Sequence, residues 1–234
     1  MRQIVLDTET TGLSAEGGDR IIEIGCVELV SRKLTGNNKH FYLNPERESH
    51  EDALKVHGIS NEFLRDKPRF AAIADELVDY LAGAEIIIHN AAFDVSFLNR
   101  ELEIAGKPAF RSYAGSVTDT LAMAKDLYPG KRNSLDALCD RLGVDNSGRT
   151  LHGALLDAEL LADVYINMTR GQDALLIDMA DEHAIGGIAT RVDLTAFTLP
   201  VLLASKEETE AHEHVLQQLD KASGGKTLWR IEVR

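Results

Sequence analysis

The chain has 234 residues, 44% hydrophobic and 27% charged, enough to bury a sizeable core in one large domain or in one domain with an appendage. Its net charge of −13, from 38 acidic against 25 basic residues, argues against a protein that grips nucleic acid by phosphate neutralisation alone. A nuclease stays open, because metal ions can supply positive charge at the scissile phosphate, but its own DNA affinity should be weak and its substrate delivered by a partner.

Cys26 and Cys139 lie far apart without a CxxC spacing, so neither a zinc site nor a disulfide framework is expected. The amino terminus enters a strand at once, and no apolar run is long enough to span a bilayer. A reducing, cytoplasmic setting is the expectation.

Ile4-Val5-Leu6 is an apolar run that breaks into Asp7-Thr8-Glu9-Thr10-Thr11-Gly12, which reads as a central strand reaching its end. Residues i and i+2 of a strand share a face, so Asp7 and Glu9 should project side by side. Two such carboxylates repel unless a cation sits between them, and hard oxygen ligands suit Mg²⁺ or Mn²⁺. Alone, the pair reads first as an acidic strand end turning into solvent, so the later carboxylates must decide the matter. After the turn Gly17-Gly18-Asp19, residues 20–29 read as a second strand and residues 39–44 as a third, joined as an antiparallel meander. Residues 52–57 and 61–64 read as short helical pieces flanking Val56-His57-Gly58-Ile59.

Apolar positions Phe70, Ile73, Ala74, Leu77, Val78 and Leu81 recur at helical spacing, and Gly83 suits the stop. Residues 85–90 form a buried-type fourth strand that leads into a helix over 93–105, an alternation that implies a parallel strand pair with a crossover. Residues 116–119 give a short fifth strand. Helices follow at 120–127, 134–142 and 151–168. The fold class is therefore α/β, a mixed five-stranded sheet flanked by helices.

Later residues complete the first acidic pair. Asp94 follows strand four in His89-Asn90-Ala91-Ala92-Phe93-Asp94, where a helix first-turn Asp would also be stabilised by the macrodipole. His152 and Asp157 stand five apart in His152-Gly153-Ala154-Leu155-Leu156-Asp157. Within one helix that spacing separates them by about 140°, so both flank one cleft only if His152 lies at the helix's loose amino end.

Taken together, Asp7-Thr8-Glu9, His89-Asn90-Ala91-x-Phe93-Asp94 and His152-x4-Asp157 resemble the three motifs of the DEDDh, or DnaQ-like, 3′–5′ exonucleases, which have an RNase H-like fold. Order and wide spacing match as well, over roughly residues 2–170. The resemblance implies Asp7, Glu9 and Asp157 as ligands of two divalent cations (Mg²⁺ or Mn²⁺), Asp94 acting through a bound water, and His152 as general base. It also implies Asp52 and His57 as substrate-side positions, although many relatives carry Glu where Asp52 aligns. Such a set suits two-metal phosphodiester hydrolysis, with an imidazole of ordinary pKa near ~6.5 to take the water's proton. Thr8, Thr10 and Leu13, at the turn, are placed to meet the 3′-terminal nucleotide of a primer, with Leu13 as a wedge against the last base.

A boundary near residue 171 separates a nuclease domain, 1–170, from a partly extended tail, 171–234. Gln172-Asp173-Ala174-Leu175-Leu176 is similar to the pentapeptides that dock into bacterial sliding clamps, with Gln172, Leu175 and Leu176 as the anchors. Residues 207–221 read as one helix. Gly224-Gly225-Lys226-Thr227-Leu228-Trp229-Arg230 resembles the carboxy-terminal segment of the proofreading subunits of bacterial DNA polymerase III, which binds the polymerase's catalytic (alpha) subunit. Trp229 is the only tryptophan, and a lone Trp flanked by Leu228 and Arg230 in a polar tail suits an interface anchor.

These resemblances imply a proofreading exonuclease within a replicative polymerase, and leave open whether a small third core subunit joins it. A free-standing RNA- or DNA-trimming exonuclease is the rival in the same fold, and the tail argues against it. A non-catalytic scaffold between clamp and polymerase is the rival from another class. The clustered, self-repelling acidic site argues against that one.

Overall fold

The computed structural model describes residues 1–149, 151–170 and 204–224. The chain divides into two compact units, Met1–Met179 and Ala180–Arg234. The first holds strands β1 (Arg2–Thr10), β2 (Ile21–Val30), β3 (Lys33–Leu34), β4 (Lys39–Tyr42), β5 (Glu85–Ile88) and β6 (Ser116–Asp119). Its helices are α1 (Glu51–His57), α2 (Asn61–Leu64), α3 (Phe70–Leu81), α4 (Ala91–Ile104), α5 (Thr120–Leu127), α6 (Leu135–Leu142) and α7 (Ala154–Met168).

The strands form one six-stranded sheet in the order β3-β2-β1-β5-β6, with β4 also paired to β2. Six strands rather than the expected five follow from β3, a two-residue piece that pairs with Leu29 and Val30 and carries no hydrophobic period to reveal it. β1, β2 and β4 make the expected antiparallel meander. β1, β5 and β6 run parallel, the arrangement implied by the strand–helix alternation.

Period-two alternation divides β1 between two cores. Ile4 and Leu6 join Ile24, Ile86 and Ile88 under α3 and α4 on one face. Val5 joins Val27, Leu29 and Ile87 under α6 and α7 on the other. Both faces of the central strands are thus dry, which is why their runs read as almost wholly apolar.

The parallel arrangement carries β1, β5 and β6 to one end of the sheet, where the Asp7–Glu9 stretch, the His89–Asp94 turn and Asp119 all arrive. Ligand sites in such sheets lie outside the carboxyl ends of the strands. The turn into α4 is made by Asn90, which takes a left-handed conformation (φ 64°) that Asn tolerates better than most residues. Asp119 ties two of the ends together, accepting from the Asn90 N–H at 3.1 Å while capping α5 through the Leu121 N–H at 2.9 Å.

The second unit contributes one described helix, α8 (Lys206–Ser223), which covers the helix expected over 207–221. Ser205 and Glu208 close its start as a capping box, and Gly224 ends it in the left-handed region. Val215 and Leu219 are exposed on its surface. Among the described residues no helix is long and apolar enough to cross a membrane.

Candidate active site

Asp7, Thr8, Glu9, Leu13, His89, Asn90, Phe93, Asp94, Asp136, Arg149, His152 and Asp157 line one cavity of about 630 Å³ at the convergent strand ends. Ligand atoms of Glu9, His152 and Asp157 all lie within 4.8 Å of one another. Asp7 and Asp94 line the same cavity outside that cluster. The structure thus brings together all five residues singled out for metal and proton chemistry.

Each is positioned by its element. Asp7 and Glu9 share the partly accessible side of β1, while Thr8, between them, is buried and donates its hydroxyl to Asp94 Oδ1 at 2.7 Å. Asp94 stands in the first turn of α4, as expected. It is nevertheless buried, which an ordinary first-turn Asp is not.

The geometry of His152 differs from the expected helix over 151–168. α7 begins at Ala154, with Gly153 extended at its cap, so His152 precedes the helix and the 140° separation does not apply. Its backbone N–H donates to the Val56 carbonyl at 3.1 Å, docking the segment against α1. His152 Nδ1 then lies 3.2 Å from Asp157 Oδ2.

A buried carboxylate of β2, on the face that meets α7, sets the start of that helix. Glu23 accepts from the Ala154 N–H at 3.1 Å, and its other oxygen meets His40 Nε2 at 2.6 Å. α7 has no side-chain cap of its own, so Glu23 serves that orphan donor from another element. Nearby, a Cβ at Gly25 would overlap the backbone of Ala154 and Leu155, so the absence of a side chain there lets α7 lie directly on β2.

Electrostatically the cleft is strained towards cation binding. Burial, then Asp94, Glu9 and Asp157 in turn, push Asp7 well above the ordinary carboxylate range. Burial pushes Glu9 up to about 8, against the opposing pull of His152. Burial likewise pushes Asp94 up to about 7, although the Thr8 hydroxyl resists. Asp157 moves the other way: burial would raise it, but hydrogen bonds from His152 and Arg149 outweigh burial and hold it low. His152 is raised, chiefly by its hydrogen bond to Asp157.

Carboxylates that resist ionising in each other's company, with an imidazole beside them, form a hard O/N donor set that fits a Mg²⁺- or Mn²⁺-type cation.

Arg149 was not singled out from the sequence. Its side chain is 6% exposed, and its Nε and Nη2 grip both oxygens of Asp157 at 2.5 Å each. Nη1 pairs with Asp136, and Nη2 also reaches His152 Nδ1 at 2.7 Å. Gly148-Arg149 sits in a turn with no period or motif, so only the folded chain reveals it. Glu23 was missed for a related reason: within β2 it reads as an ordinary outward residue.

A second cavity, about 450 Å³, lies beside the first and is lined by Thr8, Glu9, Thr10, Leu13, His50, Asp52, Val56, His57 and Phe93. Leu13 borders both cavities and is 86% exposed. Thr10 donates its hydroxyl to the Gly12 carbonyl at 2.6 Å, so it shapes the turn that presents Leu13. Asp52 is fully open and pairs with Lys55 at 2.8 Å. His57 is 4% exposed; its Nδ1 accepts from the Ile59 N–H at 3.0 Å, and its buried Nε2 has no partner among the described residues. Gln172, Leu175, Leu176, Leu228, Trp229 and Arg230 lie outside the described residues.

A mixed sheet with an acidic cleft at its strand ends is a nuclease-like design, and comparison with known proteins agrees. The RNase T exonuclease family model matches residues 4–165. Exonuclease X, solved in complex with 5′-overhanging duplex DNA, superposes with a TM-score of 0.58 at 26% identity, over 76% of this chain and 98% of that one. Escherichia coli exonuclease I, solved with single-stranded DNA, gives a TM-score of 0.65 at 20% identity over 78% of this chain and 43% of that one, a likeness of fold.

Full-length relatives are closer. A Pasteurella multocida protein is 52% identical over 97% of this chain and 93% of its own length. An Escherichia coli protein is 52% identical over 98% and 97%, and a Rickettsia conorii protein 45% identical over 95% and 98%. All three are named DNA polymerase III subunit epsilon, and the chain belongs to that family of exonucleases.

Proposed function

We propose that the protein is the proofreading 3′–5′ DNA exonuclease of a bacterial DNA polymerase III, hydrolysing the 3′-terminal phosphodiester and releasing nucleoside 5′-monophosphates. The observation that carries this reading is the convergence of Glu9, His152 and Asp157 within 4.8 Å, with Asp7 and Asp94 in the same cavity.

Asp7, Glu9, Asp94 and Asp157 would hold two Mg²⁺ or Mn²⁺ ions. When bound, such ions lower the pKa of water and stabilise a leaving oxygen. His152 stands at the rim, 46% exposed, where it can take the attacking water's proton, and Asp157 orients its ring. Thr8 fixes Asp94 rather than meeting substrate directly. Leu13, with Phe93 across the cleft, is placed to pack against the terminal base, and His57 and Asp52 line the side from which the nucleotide would enter. Selectivity for errors arises because a mispaired end unpairs at lower cost and reaches the cleft as a single strand.

The catalytic subunit of the polymerase and the sliding clamp are the partners, through Leu228-Trp229-Arg230 and through Gln172, Leu175 and Leu176 respectively. A cytoplasmic location follows from that role.

The test is degradation of a primer labelled at its 5′ end, matched or mismatched at its 3′ terminus, with Mg²⁺ and with EDTA. Mononucleotide release that needs metal and runs faster from the mismatched end is expected. No release with metal present, from protein that still binds polymerase, would replace the nuclease with a scaffold. Faster trimming of RNA than of single-stranded DNA would move the reading to RNA processing.

A further inference from the structure

The guanidinium of Arg149 lies where a cation is wanted. It is almost wholly buried, it spends two N–H groups on the two oxygens of Asp157, and it adds contacts to Asp136 and His152 Nδ1. Both Asp157 and His152 belong to the cluster whose ligand atoms lie within 4.8 Å. With each oxygen of Asp157 already accepting from the fork, only one lone pair on each is left for a metal ion. A metal ion in that cluster would also stand within a few ångströms of a second positive charge in a poorly solvated cleft, where like charges repel strongly.

We propose that Arg149 is an internal stand-in for the divalent cation, a positioning residue that clamps Asp157 and His152 while the metal is away and hands them over when it binds. This rests on the reading of the cleft as a metal site. Asp136 supplies the tether: it is 55% exposed at the rim, and its pairing with Arg149 makes no demand on Asp157. The freed guanidinium therefore stays at the mouth of the cleft rather than leaving it.

The handover also resets His152. Nδ1 of His152 lies between the Arg149 fork, at 2.7 Å, and Asp157, at 3.2 Å, so the two compete for it while the fork is in place. Once Arg149 withdraws, Nδ1–H can donate to Asp157, 3.2 Å away, and Nε2 presents a lone pair to the cleft. Loading of the cation and arming of the base become one event.

Binding and displacement are reciprocal, so removing Arg149 should strengthen metal binding by the factor that metal weakens the clamp, and couplings of this kind commonly fall between ~5 and ~150-fold. The full chain, as wild type, Arg149→Ala and Arg149→Lys, would be titrated with Mn²⁺ and free Mn²⁺ read by electron paramagnetic resonance. Arg149→Ala should bind about tenfold tighter than wild type and melt lower than wild type without metal, the gap closing as metal is added. Arg149→Lys, which keeps the charge but not the two-pronged grip, should fall between.

In the wild type, the ¹⁵N-labelled Arg149 Nε–H resonance should be protected from exchange without metal, then shift and lose protection at saturating Mg²⁺. A folded Arg149→Ala that binds Mn²⁺ no more tightly than wild type, or an Nε–H signal unchanged by Mg²⁺, would overturn the clamp while leaving the metal site standing. If Arg149→Ala does not fold, the Lys variant and the wild-type resonance decide. Absence of Mn²⁺ binding in every variant would sink the metal reading and this proposal with it.

Discussion

Protons and metal compete for the same oxygens in this cleft, which makes pH a probe of individual residues. Glu9 at about 8 and Asp94 at about 7 keep protons in the folded chain that they would release near ~4 when unfolded. A folded-state value raised in this way contributes stability at low pH that is lost as pH climbs to the folded value. Asp7 and His152, both raised, act in the same direction. His57 and His89, both lowered chiefly by burial, act oppositely, but their part is complete once pH exceeds the unfolded histidine value of 6.5. Between about 6.5 and about 8 the metal-free protein should therefore melt at progressively lower temperature, and saturating Mg²⁺ should flatten the profile. Differential scanning fluorimetry in EDTA and in Mg²⁺ measures this directly. A flat profile without metal would mean that the carboxylates are not in fact crowded.

Leu13 offers a second residue-scale test. An 86% exposed leucine at the junction of two cavities contributes little to folding, so Leu13→Ala should leave stability within about 0.5 kcal/mol of wild type. Its loss should narrow the difference in rate between mismatched and matched ends. Unchanged rates and unchanged preference would remove Leu13 from the list of substrate contacts.

Elements carry these residues to the cleft, and the contact between β2 and α7 is the one that leaves least room. Gly25 has backbone of Ala154 and Leu155 where a side chain would be, and Glu23 holds the first N–H of α7. Gly25→Ala should force α7 away from the sheet at a cost of about 1–3 kcal/mol, typical of overpacking. Hydrolysis should fall much further than stability, because His152 and Asp157 ride on that helix start. Activity that fell only in proportion to the folded fraction would show that the packing matters for stability alone.

The helix most legible in the sequence, α3 over Phe70–Leu81, is one whose apolar positions face a single core at helical spacing. The three motifs were legible for a different reason, since each falls at a strand end or helix start where chemistry, not packing, selects the residue. What stayed hidden depends on tertiary meetings. β3 is too short to show a period, His152 leaves the helix because Gly153 is extended, and Arg149 and Glu23 acquire their roles only when remote segments close on them.

On the scale of the whole molecule, a −13 protein that cuts DNA should owe its efficiency to tethering rather than grip. The catalytic set lies wholly within residues 7–157, while both proposed docking segments lie beyond residue 170. A chain ending at residue 170 should thus hydrolyse short single strands as well as the full chain does, yet fail to speed proofreading when polymerase is added.

Trp229→Ala in the full chain should act as the truncation does in kind, weakening polymerase association by about 2 kcal/mol, or ~30-fold, if the indole is a buried anchor. Asp7→Ala should do the reverse, abolishing hydrolysis and sparing association. Both constants can be read from the same preparations, association by surface plasmon resonance and hydrolysis by single-strand degradation. Loss of both properties in either variant would point to a misfolded chain. A truncated chain that still accelerates with polymerase would show that the nuclease unit docks by its own surface, and the tail would then need another purpose.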